Sequence, residues 1–160
     1  EAYEARELFG GAIVLEAPGR LRDLALVRPV PDNQEVLADP DADQCLVVEI
    51  LEYQPGLEQH ACPSEFFFRD LASVNEALEV SIGEQRALDQ QEVPHVPPEC
   101  QCSVTTGMQR VVKHREQDAE GNRVAVVLAN IRIPQKSTDI LISLSSPVAI
   151  SADSSSACLG

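Results

Sequence analysis

Three histidines, five cysteines and 26 carboxylates are the side chains in this chain with chemistry to offer, and their spacing decides which chemistry that is. A zinc site draws its ligands from short repeated spacings, Cys-x-x-Cys or His-x-x-x-His, because one turn or helix face then presents two donors together. His60, His95 and His114 each stand alone, and no Cys-x-x-Cys occurs. His95, Cys100 and Cys102 are close in sequence, but Pro94, Pro97 and Pro98 stiffen that segment. Satisfied or exposed side chains are the expectation there, not a metal site. Gly10-Gly11 is too short to cradle a phosphate, and neither Gly-x-x-x-x-Gly-Lys nor Gly-x-Gly-x-x-Gly is present. No serine stands in a nucleophile-elbow context. Cys45 falls inside a strand pattern and reads as a small core residue. Carboxylates this numerous guarantee close pairs, so acid–base pairs are not diagnostic. The expectation is a protein that is not an enzyme and uses no cofactor or metal.

Charge is the stronger signal. The net charge is −14, and residues 1–60 hold 13 acids against 4 bases, a balance of −9. The remaining hundred residues hold 13 and 8, a balance of −5. Such a surface repels nucleic acid and anionic membrane. It attracts a basic protein partner, mainly by speeding association. A solvated acidic surface with no partner fits the same balance. With 160 residues and 44% apolar content, the chain is one domain's worth and can bury a core. No apolar run approaches the ~18–20 residues of a membrane span. Glu1 to Glu7 is charged and lacks a signal-peptide apolar region. A soluble protein made in the cytosol is expected, without direct membrane insertion. The five scattered cysteines are expected to be reduced thiols.

The elements that must position these groups follow from period and punctuation. Leu8 to Leu15 reads as a glycine turn entering a short strand, ended by Pro18-Gly19. Leu21 to Val27 reads as a weak short helix stopped by Pro29. Pro29 and Pro31 with Asp32-Asn33 form a rigid turn that delivers a strand from about Gln34 to Ala38. After the polar turn Asp39 to Asp43, β-branched Val47, Val48 and Ile50 mark a strong strand from Cys45 to Leu51. A hairpin at about 34–51 is the result. Phe67, Leu71, Val74 and Leu78 recur at helical spacing, predicting a helix at about 65–78 with Ser64 as N-cap and Glu65 in its first turn. Residues 80–99 read as a long surface loop, with a short strand at Leu78 to Ile82. Cys102 to Arg115 and Arg123 to Pro134 form a second hairpin, at about 102–134, turning at Glu116 to Asn122. Ile140 to Leu144 is a last strand, and from Ser145 the chain turns serine-rich and loses periodicity. The fold class is α+β, helices on a mostly antiparallel sheet, as a single domain over 1–145. Residues 146–160 are expected to be a tail, disordered or cut short.

Two segments carry a resemblance. One is Leu8-Phe9-Gly10-Gly11-Ala12-Ile13. The other is Arg28-Pro29-Val30-Pro31-Asp32-Asn33-Gln34-Glu35-Val36, followed by Asp43-Gln44 and Val48-Glu49-Ile50-Leu51-Glu52. Together they resemble the signature of the Ran guanine nucleotide release factor (Mog) family. Weaker likeness continues through Phe68-Arg69-Asp70-Leu71, Ile131-Arg132-Ile133-Pro134-Gln135 and Thr138-Asp139-Ile140-Leu141-Ile142, so it spans about 7–145. The resemblance implies an antiparallel sheet flanked by helices, a Mog-type fold similar to the PsbP-like fold. It implies binding to the GTPase Ran, promotion of GTP release from it, support of nuclear protein import, and residence in nucleus and cytoplasm. Some animal members of the family also resemble trafficking partners of an ion channel, the cardiac sodium channel.

The resemblance carries function to an acidic patch at Glu49 and Glu52, with Arg28, Asp32, Gln34, Glu35 and Asp43 around it as partner-binding residues. Glu49 and Glu52 are three apart, so a regular strand sends them to opposite faces, and the strand must end or bulge near Leu51 for one surface to hold both. Asp32 has a structural reading too, as a cap on the proline turn paired with Arg28. The family normally adds a C-terminal helix packed on the sheet, whereas Ser151 to Gly160 has no helical stripe. A fragment or divergent product with an exposed apolar sheet face is therefore expected. A PsbP-like accessory module of a membrane complex is the alternative reading. An enzyme of unknown type is a third.

Overall fold

The computed structural model of the chain describes residues 1–111 and 122–149. β1 (Tyr3–Leu8) and β2 (Ile13–Pro18) pair as a separate antiparallel ribbon. Its turn holds Phe9, Gly10 and Gly11 at φ of 52°, 68° and 96°. Glycine enters this left-handed region without a Cβ penalty, which is what the Gly-Gly pair supplies. β3 (Arg22–Asp23) follows, then one 3-10 turn at Leu24–Leu26. The short helix expected over 21–27 is thus a single turn. Asp23 starts it by accepting the Ala25 N–H, and the Arg28 N–H on Leu24 closes it ahead of Pro29.

β4 (Gln34–Asp39) and β5 (Gln44–Glu52) form the expected first hairpin. After them come helix α1 (Ser64–Val74), β6 (Glu79–Leu88), β7 (Gln101–Val111), β8 (Asn122–Ile133) and β9 (Thr138–Ala149). Seven strands build one sheet in the order β3-β4-β5-β9-β8-β7-β6, every pair antiparallel. The architecture is the expected α+β class. β7 and β8 pair as the second hairpin. Its expected turn up to residue 121, and the tail from residue 150, lie outside the described residues.

Several elements differ from their sequence reading. β6 runs for ten residues where a loop with a short strand was expected. It is an edge strand with one neighbour and needs little apolar sequence: only Ile82 and Leu88 are part-buried. A register shift between Ile82 and Gln85, together with Glu79, Glu84 and Arg86, blunts this edge against further pairing. β9 continues through Ser145 and Ser146 to Ala149, because β8 supplies partners as far as Ala149 whatever the side chains, while the pairing with β5 reaches Ser145. Helix α1 stops at Val74, four residues early: the Asn75 N–H returns to Leu71 and Glu76 enters positive φ at 54°. Ser64 is not a cap. It is the first helical residue, fully buried, with its N–H on Ser103 Oγ and its Oγ on Thr105 Oγ1 at 2.8 Å.

The sheet has two faces with separate cores. On one, α1 packs Phe67 and Phe68 against Val126, Leu128 and Leu57, with Leu51 and Leu141 at the margin. Gly107 makes room for this. A Cβ there would lie 2.8 Å from Phe68 Cζ and closer still to the Ser81 carbonyl oxygen. On the other face the β1–β2 ribbon packs Leu15 and Ala17, with Leu21, against Leu37 and Leu46. Beyond the ribbon this second face carries Ile131, Ile140, Ile142 and Leu144, which the described residues leave only half-buried, and Val127 is 42% exposed.

Candidate functional site

The site is built at the end of the β4–β5 pair. The Gln34 N–H bonds the Pro31 carbonyl at 3.0 Å, closing a turn with Asp32 and Asn33 at its apex. Asn33 extends the ladder: its carbonyl accepts the Ile50 N–H, and its Nδ2 donates to the Ile50 carbonyl at 3.2 Å. The two prolines thereby set the register that places Gln34 opposite Glu49. Gln34 Nε2 donates to Glu49 Oε2 at 2.6 Å, a short charge-assisted bond that orients the carboxylate. Asp32 is exposed at the apex, and its side chain forms no hydrogen bond or ion pair among the described residues. Arg28 is exposed as well and forms no ion pair with Asp32, so the pairing and capping reading of Asp32 is not realised. Arg28 instead acts electrostatically on Cys45.

Glu49 and Glu52 lie on opposite faces. β5 pairs with β9 without a bulge through Leu51↔Asp139 and Glu52↔Thr138. Leu46 packs in the ribbon core and Leu51 in the helix core, which fixes the alternation. Glu49 therefore shares the helix face with Leu51, half-buried, while Glu52 is exposed at the strand end on the other face. Only the terminal position of Glu52 keeps it near the Asp32 turn.

Two other expected residues sit elsewhere. Glu35, on the ribbon face, accepts the Phe9 N–H on Oε1 at 2.8 Å. Asp43 closes the β4–β5 turn at φ 52°. Nine residues of extended chain separate it from Glu52, roughly 30 Å at ~3.3 Å per residue. The structure gathers Asp32, Gln34, Glu49 and Glu52 at one end of the hairpin. It does not bring Arg28, Glu35 or Asp43 into that group.

Sequence reasoning missed Asp70. Phe67, Asp70, Leu71 and Val74 of α1 form one wall of a groove of about 440 Å³. Val47, Glu49, Leu51, Leu128 and Leu141 form its floor and far wall. Asn75 borders both this groove and a second depression of about 300 Å³ that reaches Asp43, Ser145 and Pro147. The available signal was the weaker family-like segment Phe68 to Leu71, read only for its apolar stripe.

The strand end is held by a buried network. Arg132 Nε lies 3.1 Å from Asp139 Oδ1, and both side chains are sealed from solvent. Asp139 also accepts Asn130 Nδ2 at 3.1 Å and the Gln54 N–H at 2.8 Å. Arg132 donates to the Gln54 carbonyl and stacks 4.0 Å over the Tyr53 ring. These contacts clamp Tyr53-Gln54, directly after Glu52.

No group of three His, Cys, Asp or Glu side chains among the described residues is arranged to hold a metal ion. Cys45, Cys62, Cys100 and Cys102 are free thiols. Burial pushes up the pKa of Cys45, Cys100 and Cys102. At Cys45, Arg28 opposes that rise and Asp43 adds to it. A raised pKa makes a poor nucleophile at neutral pH.

Residues 6–147 match the family described as Ran-interacting Mog1 protein. The chain is 37% identical over 155 residues to the Ran guanine nucleotide release factor of Danio rerio, covering 96% of this chain and 83% of the relative. Identity to the Homo sapiens protein of that name is 35% over 141 residues, covering 88% and 74%. The Schizosaccharomyces pombe nuclear import protein mog1 is 29% identical over 147 residues, covering 89% and 76%. The crystal structure of the Saccharomyces cerevisiae Ran-binding protein Mog1p has the same fold, with a TM-score of 0.68 at 21% identity over 92% of this chain and 78% of that one. Likeness in sequence and fold over almost the whole described chain has one consequence: the chain belongs to the Mog1 family of Ran-interacting proteins.

Proposed function

We propose that this protein binds the GTPase Ran and promotes release of its bound guanine nucleotide, in support of nuclear protein import. The observation that carries the reading is membership of the family over residues 6–147, joined to a half-buried Glu49 oriented by Gln34. The protein is a regulator that acts by binding and performs no catalysis of its own. Asp32, Gln34 and Glu49, with Glu52 at the strand end, form the Ran-facing patch. Their carboxylates engage basic groups near the nucleotide site of Ran and favour a conformation that holds nucleotide less tightly. Linkage makes this reciprocal, so bound GTP weakens the protein's own hold on Ran. The net charge of −14 disfavours nucleic acid and anionic membrane as partners. The protein works in nucleus and cytoplasm, the two compartments that nuclear import joins.

The test is Ran GTP release and thermal midpoint for wild type, Glu49→Lys and Glu52→Lys. Each reversal sets a like charge against a basic partner. Loss of a desolvated pair costs ~2–5 kcal/mol of affinity, whereas a rim charge mainly slows association. Glu49→Lys is expected to fall in the first class and the exposed Glu52→Lys in the second. Wild-type binding weakens with salt, given a Debye length of ~8–10 Å near physiological ionic strength. For exposed Glu52→Lys, folding stability moves by no more than ~0.5 kcal/mol. Unchanged release in both variants discards the patch. Lost release with a collapsed midpoint shows a broken strand instead.

A further inference from the structure

The groove between α1 and the sheet has apolar walls and two carboxylates at its rim. Glu49 stands on the strand side and Asp70 on the helix side. Neither forms an ion pair with Lys or Arg among the described residues, whereas Glu65 on the same helix is paired with Arg69 at 3.0 Å. The helical stripe read from the sequence ends in this groove. Phe67 is buried in the core, Leu71 is half-buried, and Val74 is 72% exposed. Part of that apolar stripe is therefore left unused by the packing of the described residues. An open apolar wall flanked by uncompensated anions suits one kind of occupant: an apolar side chain with a neighbouring Lys or Arg. Such a cation lays its aliphatic stem on the apolar surface and keeps its head at the carboxylates.

We propose that the α1–sheet groove is a docking surface for a basic amphipathic segment of Ran, with Asp70 and Val74 as contact residues alongside Glu49. This inference rests on the Ran-binding reading and extends its footprint from the strand end to the helix. Glu49 is the hinge between the two surfaces, because it belongs to both. The groove side excludes Glu52, which is on the opposite face of the sheet. Charge provides orientation and the apolar wall provides area, so both kinds of change must weaken binding.

The experiment measures the Kd for nucleotide-free Ran with wild type, Asp70→Lys, Asp70→Asn and Val74→Arg, each with its thermal midpoint. Both positions are solvent-exposed, so the fold tolerates the changes. Asp70→Lys reverses one rim charge, and Val74→Arg supplies in cis the cation the groove would otherwise take from the partner. The expected result is a Kd raised about tenfold or more in both, at unchanged midpoint. Asp70→Asn, isosteric with the native side chain, gives a smaller rise and a shallower salt dependence, and it decides the matter should the lysine variant lower the midpoint. Wild-type affinity in all three, with binding lost in Glu49→Lys, overturns the groove and leaves the Ran reading standing. Absence of Ran binding by the wild-type protein overturns both.

Discussion

The Phe9 N–H donates to Glu35 Oε1 at 2.8 Å, and this bond joins the two sequence segments that carry the family resemblance. Phe9 sits at positive φ in the β1–β2 turn, where its N–H has no ladder partner, and Glu35 rises from β4 to meet it. Half-buried Glu35 thereby fastens the ribbon to the sheet.

Glu35→Ala is accordingly expected to lower folding stability by about 0.5–1.5 kcal/mol, the net worth of a part-buried hydrogen bond. Glu35→Gln retains an acceptor oxygen and loses less. Urea denaturation of both variants measures these losses, and Ran GTP release is read on the folded protein. A stable Glu35→Ala protein with no release activity would move Glu35 into the interface.

The Arg132–Asp139 pair predicts a larger loss. Removing one partner of a buried ion pair leaves the other charge uncompensated, at about 3–5 kcal/mol. Arg132→Ala is expected to fall in that range, because Asp139 would keep only the Asn130 and Gln54 donors. Asp139→Asn is expected to lose at least as much, since it leaves the buried Arg132 charge without its counter-charge and turns an amide NH2 toward either Arg132 and Asn130 or the Gln54 N–H. Chemical denaturation of both variants checks the order, and a loss under 1 kcal/mol for Arg132→Ala would show that the clamp on Tyr53-Gln54 does not depend on it.

Acid stability depends in part on Asp39. Burial alone would raise its pKa, but hydrogen bonds from Arg20 at 3.0 Å and from the backbone N–H groups of Ala42 and Asp41 hold it below the usual carboxylate range. The folded state then binds fewer protons than the unfolded state in that window, so stability rises with pH across it. The contribution is complete above the ordinary aspartate value of ~3.9 and is lost as pH falls through the lower folded value. Asp39→Asn should therefore flatten the stability profile below about pH 4 relative to wild type. Urea midpoints collected across that range give the slope. Parallel profiles for the two proteins would remove Asp39 as a source of acid sensitivity.

Gly107 is expected to tolerate no side chain. A methyl group there meets Phe68 and the Ser81 carbonyl together, so Gly107→Ala forces β6 or α1 to shift. Overpacking of this kind costs about 1–3 kcal/mol. Combining it with Phe68→Leu relieves the ring contact and leaves the backbone contact, so the double variant should recover less than its cavity-free volume suggests. Thermal denaturation of the single variant at the wild-type midpoint would show that the sheet yields freely at this position.

What could be read from residues alone was whatever repeats locally. Val47, Val48 and Ile50 announce β5, the Gly10-Gly11 pair announces a turn, and Phe67 and Leu71 announce a helix, because each pattern needs only its own neighbours. The acidic character of the patch and the family likeness were legible for the same reason. β1 and the length of β6 beyond Ile82 were not, since Tyr3 to Leu8 and Glu79 to Leu88 carry polar residues on both sides and become strands only through the partner beside them. The burial of Ser64 and the persistence of β9 past Ser145 depend on contacts from distant segments. The period of a strand stated that Glu49 and Glu52 diverge unless the strand bulges. Pairing with β9 decided that it does not, and packing of α1 gave Glu49 a second carboxylate, Asp70, across a groove. Twenty-one residues separate those two carboxylates in the chain, and a spacing of that length has no local period to reveal it; only the folding of a helix back over a sheet brings them to one site.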